Sequence, residues 1–405
     1  MSEAGLEQKY IQEAFDTNWV VPLGPNVNGF EKDLENFVGE GKRVVALNSG
    51  TAAVHLSLLA CGVGPGDEVL TQTFTFCASA HPITYLGATP VFVDSEDSSW
   101  NIDVNLLEHA IEDRIRLTGR TPKAIVPVTL YGMPYDIDAL MEVADRYGIP
   151  VVEDAAEGLG SRWKGRAMGT FGRYGVLSFN GNKMITTSGG GAIVCPDDES
   201  WERIMWYATQ ARESYPYYQH EAIGYNYRMS NICAGIGRGQ MSVLQEHLDH
   251  HRHVQELYRE AFAGADGIEV HKAPDPRYNS NYWLCTILLD EKLHVKGQEH
   301  AYEETVKSAV GGAGGVVHNT SRLHTDCEPN ANVEGLRIWL KERGIEARPL
   351  WKPMHKQPVY KQAPAYTNGI SENLFRRGMC LPSGPCVTDD DVRYIIESIK
   401  EALIC

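Results

Sequence analysis

Between Arg43 and Asp154 the chain alternates short apolar runs with amphipathic stretches, and this alternation limits the possible folds more than any other feature. Val44-Val-Ala-Leu47, Glu68-Val-Leu70, Pro90-Val-Phe-Val93, Ala124-Ile-Val-Pro-Val128 and Pro150-Val-Val-Glu-Asp154 have the pattern of strands. Residues 52–61, 104–113 and 137–147 carry apolar side chains at helical spacing between them. Continuously apolar strands are buried on both faces, and strands joined through helices run parallel. The pattern therefore predicts an α/β domain whose mostly parallel sheet is covered by helices on both sides. Two more apolar runs, 175–178 and 192–195, extend it. Ligands of such sheets sit beyond the carboxyl ends of the strands.

The flanking sequence is organised around this block. Leu6, Tyr10, Ile11, Ala14 and Phe15 predict a helix over 6–18, followed by a loop over 18–28 and a second helical face at Phe30, Leu34 and Phe37. Residues 74–85 open with aromatics and read as a helix, as does an aromatic-rich stretch over 201–227 and a helix pair through His251. From Gly267 the pattern becomes a smaller α+β domain, with strands at 282–289 and 346–350 and helices at 333–343 and 390–404. At 405 residues the chain is too long for one simple core. The expected division is a large domain over 1–250 and a small one over 251–405, with a flexible, polar and glycine-rich insertion at 291–331.

A net charge of −16 argues against a nucleic-acid or anionic-membrane surface. It leaves room for a small anionic ligand, because backbone amides bind phosphate in acidic proteins too. The 9 cysteines show no C-x-x-C pair, which predicts reduced thiols, a cytoplasmic protein and no metal site. The first residues lack a signal-peptide pattern, and no apolar run approaches membrane-spanning length.

Three groups fall at the carboxyl ends of predicted strands: Ser49-Gly50-Thr51, Asp154, and the loop Phe179-Asn-Gly-Asn-Lys183. Each has an ordinary explanation. Ser-Gly-Thr is a common helix N-cap, aspartate caps helices, and a loop lysine can simply face water. Together they match what pyridoxal phosphate requires. Its phosphate wants amides and hydroxyls at a helix N-terminus, which Gly50, Thr51 and Ser178 supply. Its pyridine nitrogen needs a buried carboxylate, its ring an aromatic face such as Phe76, and its aldehyde a lysine amine.

Asn48-Ser-Gly-Thr-Ala-Ala53, Glu153-Asp-Ala-Ala-Glu157, Ser178-Phe-x-x-x-Lys183, Thr186-Thr-x-Gly-Gly-Gly191 and Gly224-Tyr-Asn-Tyr-Arg-Met229 resemble the DegT/DnrJ/EryC1/StrS aminotransferases. The resemblance implies the aspartate-aminotransferase-like architecture of fold type I, with a seven-stranded sheet in the large domain. By the same resemblance Lys183 is the imine-forming lysine, Asp154 the pyridinium partner, and Glu157 the neighbour of the phenolic oxygen. Gly50, Thr51 and Ser178 cradle the phosphate and Phe76 stacks on the ring. Asn226, with Arg228 close by, reaches the phosphate across the interface of a homodimer with shared sites.

Ser178-Phe-Asn-Gly-Asn-Lys183, Tyr207-Ala-Thr-Gln-Ala-Arg-Glu213, Arg348-Pro-Leu-Trp-Lys-Pro-Met-His355 and Cys380-Leu-Pro-Ser-Gly384 are similar to the bacillosamine-pathway branch of that family. That implies transfer of an amino group from L-glutamate to C4 of UDP-2-acetamido-2,6-dideoxy-4-hexulose. Arg348, Trp351, Lys352 and His355 become candidates for nucleotide-sugar or glutamate contacts, since arginine and lysine suit pyrophosphate and carboxylate groups. The alternatives are a dTDP- or GDP-linked keto sugar, a keto-cyclitol, or a non-catalytic homologue, which the intact lysine, aspartate and cradle disfavour. No G-x-G-x-x-G follows the first strand, which disfavours a nicotinamide enzyme. Two departures from the family are expected. The 291–331 segment is longer than usual, and the chain starts where relatives carry an apolar, proline-containing segment, as if from a late-assigned Met1.

Overall fold

The structure, a computed structural model, describes residues 5–302 and 327–403. Its main sheet is built from β1 (Arg43–Leu47), β2 (Glu68–Gln72), β3 (Thr89–Val93), β4 (Ala124–Val126), β5 (Val152–Asp154), β6 (Tyr174–Ser178) and β7 (Gly191–Cys195). Their order is β3-β2-β4-β5-β6-β7-β1, with β4 and β5 joined by the parallel bridges Ile125↔Val151 and Val128↔Asp154. Every neighbouring pair is parallel except those of β7, which runs antiparallel to both β6 and β1. That exception follows from the sequence. No helix separates β6 from β7, only the Lys183 loop, and a parallel pair would need a long crossover. The α/β class, the covered and mostly parallel sheet and the fold-type-I architecture are all as expected.

Helices α1 (Leu6–Asp16), α2 (Pro25–Val38), α3 (Gly50–Ala60), α4 (Val104–Thr118), α5 (Ile137–Tyr147) and α6 (Asp198–Ala208) surround the sheet. Residues Ala52 to Leu58 of α3 are all buried, the property of a helix packed on every side. Helices α4 and α5 begin at Asp103 and Asp136, whose carboxylates accept first-turn N–H groups. Helices α7 (Asn231–Met241) and α8 (Leu244–Ala261) follow. Leu244 and Leu248 of α8 join the core under the main sheet, whereas Val254 and Tyr258 join a second core.

That second core lies against a fully antiparallel sheet. It contains β8 (Ile268–Val270), β9 (Cys285–Leu289), β10 (Arg348–Pro349) and β12 (Gly378–Leu381), in the order β8-β9-β12-β10. Helices α9 (Ala331–Glu342) and α10 (Asp389–Ala402) cover it. The intervening β11 (Ala365–Tyr366) instead returns to the main sheet and adds to β3 in parallel.

Three expected elements differ. Residues 74–85 form only a turn at Cys77–Ser79 and a short helix at His81–Tyr85. The chain before them is held out of a helix because Thr73 accepts the N–H groups of Met354, at its carbonyl, and His355, at Oγ1. The 201–227 helix ends at Ala208. Gln210 and Ala211 adopt positive φ, and the chain returns to β1 through the Asn48 N–H to Tyr227 carbonyl bond. The 282–289 strand begins only at Cys285, after a left-handed Tyr282. Of the expected 291–331 insertion, residues 303–326 lie outside the described residues. Its described ends carry the Val295↔Leu403 bridge and the Tyr302 hydroxyl bond to the Pro329 carbonyl. Among the described residues no helix is long and apolar enough to cross a membrane.

Candidate active site

The carboxyl ends of β4, β5 and β6 meet at one crevice. The loop after β6 turns back at Asn180, whose carbonyl accepts the Lys183 N–H at 2.9 Å, and places the lysine amine beside a carboxylate. Lys183 Nζ lies 3.1 Å from Glu157 Oε1 and 4.0 Å from the centre of the Trp283 indole. Trp283 is itself fixed by its Nε1–H bond to the Asn182 carbonyl at 2.7 Å. The second Glu157 oxygen accepts the Tyr131 N–H at 2.7 Å. Tyr131 presents that N–H because it sits in the left-handed region at φ 52° in the turn after β4. Burial pushes the Glu157 carboxyl up to about 7, against the pull of the Lys183 ammonium and the Tyr131 N–H.

Asp154 ends β5 and is 4% exposed. Its Oδ2 accepts the Ser79 hydroxyl at 2.6 Å and its Oδ1 the Ala156 N–H at 3.1 Å. Burial raises its pKa, while these donors and the charge of Lys183 pull the other way.

At the adjoining end of α3, Ser49 acts as the N-cap: its Oγ accepts the Ala52 N–H at 3.1 Å. First-turn N–H groups have no intrahelical acceptor, so those of Gly50 and Thr51 remain for an anion. A Cβ on Gly50 would come within 3.3 Å of Ser178 Oγ, so glycine keeps that hydroxyl open. A Cβ on Gly191 would lie 2.4 Å from the Gly50 nitrogen and the Ser49 carbonyl carbon, so β7 can pass behind the helix end only as glycine. The helix-cap reading of this tripeptide holds for Ser49 and is compatible with an anion site at its two neighbours.

The model of the DegT/DnrJ/EryC1/StrS aminotransferase family matches residues 2–313 and 298–400. The chain belongs to that family. It is 43% identical over 401 residues to EpsN of Bacillus subtilis (strain 168), whose name describes a pyridoxal phosphate-dependent aminotransferase; the match covers 97% of this chain and 92% of EpsN. It is 34% identical over 402 residues to the GDP-perosamine synthase of Escherichia coli O157:H7, covering 99% and 96% of the two chains. A DegT DnrJ EryC1 StrS aminotransferase from Brucella abortus superposes with a TM-score of 0.83 at 27% identity, covering 98% and 95%.

Aminotransferases of this family depend on pyridoxal phosphate, and the residues present fit it. The crevice offers an amine, a buried carboxylate, and a helix end whose space a single Cβ at position 191 would close. Lys183, Asp154, Glu157, Gly50, Thr51 and Ser178 are thus brought together. Phe76 stands beyond β2 with half its surface exposed and its ring 5.5 Å from that of Trp351, which also packs on Tyr131 at 5.1 Å.

The remaining expected site residues make the following contacts within their own chain. Asn226 is exposed, and within its own chain its carbonyl accepts from Asn48 at 3.4 Å. Arg228 is turned inward, bridging both oxygens of buried Glu31 and the Ala46 carbonyl at 2.9 Å. Arg348 projects into solvent beside Glu346. Both ring nitrogens of His355 are occupied, by Thr73 Oγ1 at 2.7 Å and Glu372 Oε1 at 3.1 Å, so it braces the Trp351–His355 segment against β2. Lys352 is half-buried on that segment.

Sequence reasoning missed Tyr131, Ser79 and Trp283. Tyr131 and Ser79 each follow a strand end of the main sheet, which is a usable positional signal. Trp283 comes from a different part of the chain and has none.

Proposed function

We propose that this aminotransferase moves an amino group from L-glutamate to C4 of a nucleotide-linked 4-keto-6-deoxy sugar, in the first instance UDP-2-acetamido-2,6-dideoxy-4-hexulose. The supporting observation is the convergence of Lys183, Glu157 and Asp154 in one buried crevice beside the open end of α3. Bound pyridoxal phosphate supplies an electron sink that makes the Cα–H of the amino donor acidic. Lys183 Nζ is the amine that would hold the cofactor's aldehyde, and as a free amine it would serve as the proton carrier for the donor carbon. Asp154 would keep a proton on the pyridine nitrogen. Gly50, Thr51 and Ser178 would hold the phosphate, Phe76 would supply an aromatic face for the ring, and Glu157 would serve the phenolic oxygen. Trp351 and Lys352 line the approach for the sugar nucleotide. Asn226, exposed on its own chain, completes the phosphate site of a second copy in a homodimer.

A GDP-linked 4-keto sugar is the second reading, favoured by the end-to-end match to the E. coli GDP-perosamine synthase. Borohydride reduction of the loaded enzyme followed by peptide mapping is the first test, and cofactor mass on a peptide lacking Lys183 would overturn the site assignment. Incubation with glutamate and each of the UDP-, dTDP- and GDP-linked 4-keto sugars then reads the substrate directly as amino-sugar formation.

A further inference from the structure

We propose that Glu157 is the proton acceptor for Lys183, so that the lysine is delivered as a free amine by transfer within a buried pair rather than by loss of a proton to solvent. The proposal rests on the assignment of Lys183 above but not on the identity of the sugar.

Four features carry it. Glu157 Oε1, at 3.1 Å, is the one hydrogen-bond acceptor of Lys183 Nζ among the described residues. The amine also lies 4.0 Å from the centre of the Trp283 ring, which attracts a cation but takes no proton. The other nearby carboxylate, Asp154, makes no ion pair with Lys183 within 4.0 Å among the described residues, and its oxygens are held by Ser79 and Ala156. Finally, the Tyr131 N–H fixes Glu157 Oε2, which leaves Oε1 as the oxygen aimed at the lysine.

The side chains of Lys183 and Glu157 are 12% and 3% exposed, so water competes weakly for the proton. Transfer turns two opposite buried charges into two neutral groups, which a low-dielectric site favours. The rise of Glu157 on burial has the matching sign. Facing the pair are Asp154 at the end of β5, Tyr131 after β4 and Cys380 on β12, with Arg348 on β10 acting on Cys380. In the step itself one Nζ–H bond breaks, its electron pair stays on nitrogen, and an O–H bond forms at Oε1. No co-reactant is consumed.

The test is the pH dependence of Lys183 acetylation by trace acetic anhydride, read by mass spectrometry on protein loaded with pyridoxamine phosphate, which leaves the lysine free. Each variant is normalised to its own high-pH plateau, so access to the site cancels. A pair sharing one proton has a constant amine fraction between its two macroscopic pKa values. The wild type is therefore expected to vary less than about threefold between roughly pH 7.5 and 9, above the value of about 7 to which burial raises Glu157. Glu157→Gln has no internal acceptor, and its Lys183 labelling is expected to fall about tenfold per pH unit below the midpoint. Glu157→Asp keeps the charge but withdraws the oxygen, and should also slope; should the glutamine variant not fold, this comparison decides. A wild-type profile that falls tenfold per unit, or an aspartate profile as flat as the wild type, would overturn the proposal. Cofactor trapped at Lys183 together with a sloping wild-type profile sinks this inference alone, whereas cofactor trapped elsewhere sinks the site assignment.

Discussion

Glu153 and Asp154 are adjacent in β5 and serve opposite faces of the sheet. Glu153 is fully buried and takes the N–H groups of Gly169, Phe171 and Gly172 and the Tyr135 hydroxyl. Asp154 points to the crevice with Ser79 and Ala156. The two carboxylates therefore predict opposite phenotypes. Asp154→Asn should keep the melting temperature within a few degrees while lowering kcat by at least about a hundredfold, in the range of lost proton-managing groups. Glu153→Gln sets an amide NH₂ against backbone N–H donors and should cost about 2–4 kcal/mol of stability. Parallel thermal melts and single-turnover rates separate them.

Much of this was legible in the sequence because it is local. An apolar run that ends in carboxylates identifies both a buried strand and its ligand-facing end, and the Lys183 loop lies between two further apolar runs. What was not legible is long-range. Neither the capture of the His355 segment by Thr73 nor the arrival of Trp283 over Lys183 leaves a pattern in nearby residues. Arg228 carries the family motif, yet its role within the chain depends on Glu31, which sits on α2 far away in sequence. The helix expected at 201–227 failed because its aromatics pack a returning loop, and composition cannot tell that from a helical face.

The three glycines after Lys183 are not equivalent. A Cβ on Gly189 meets nothing within 4 Å, and one on Gly190 meets Thr187 Oγ1 and the flexible end of Met229. One on Gly191 meets the backbone of Ser49 and Gly50. Gly189→Ala should be silent in cofactor titrations. Gly191→Ala should weaken cofactor binding by at least about tenfold or prevent folding, because the helix end proposed to hold the phosphate cannot retreat from β7 without loss of its contacts.

Arg228 and Glu31 form a buried pair whose role is architectural. Glu31 also accepts the Ala46 N–H at 2.7 Å, so it links α2 to β1 directly upstream of the Ser49 cap. Arg228→Ala leaves that carboxylate buried without its cation and should cost about 3–5 kcal/mol in chemical denaturation. Saturating cofactor should recover part of the loss by mass action, which a titration of the melting temperature would show.

Among the four residues expected to contact substrate, His355 and Arg348 predict contrasting results. His355→Ala removes a brace satisfied on both ring nitrogens and should lower stability by roughly 1–3 kcal/mol. Its effect on KM should then follow the loss of folded protein rather than exceed it. Arg348→Ala, at a side chain 77% exposed, should stay within about 0.5 kcal/mol of wild type. A large KM increase in Arg348→Ala with normal stability would instead place that residue in the substrate site.

The buried histidines set a limit on acid stability. Desolvation lowers His251 to about 4 and its Nδ1 lies 3.1 Å from the Tyr282 carbonyl, so the folded protein holds it neutral with that nitrogen donating. The unfolded chain protonates near the ordinary 6.5. The folded pKa is depressed below the unfolded one, so the unfolded state binds more protons between these values. The stabilising contribution is complete above pH 6.5 and is lost as pH falls towards 4, on the order of 3 kcal/mol for this group. His271, stacked on Trp100 and lowered to about 3, adds to the same slope, while the raised carboxyls of Glu153, Asp154 and Glu157 oppose it. Because these contributions overlap, the decisive quantity is a difference between variants. His251→Asn keeps a donor for the Tyr282 carbonyl but does not titrate. Urea denaturation at several pH values should therefore show the wild type losing stability relative to this variant by about one proton's worth of slope between pH 6.5 and 4. Parallel curves for the two proteins would mean that His251 titrates in the folded state as it does in the unfolded chain.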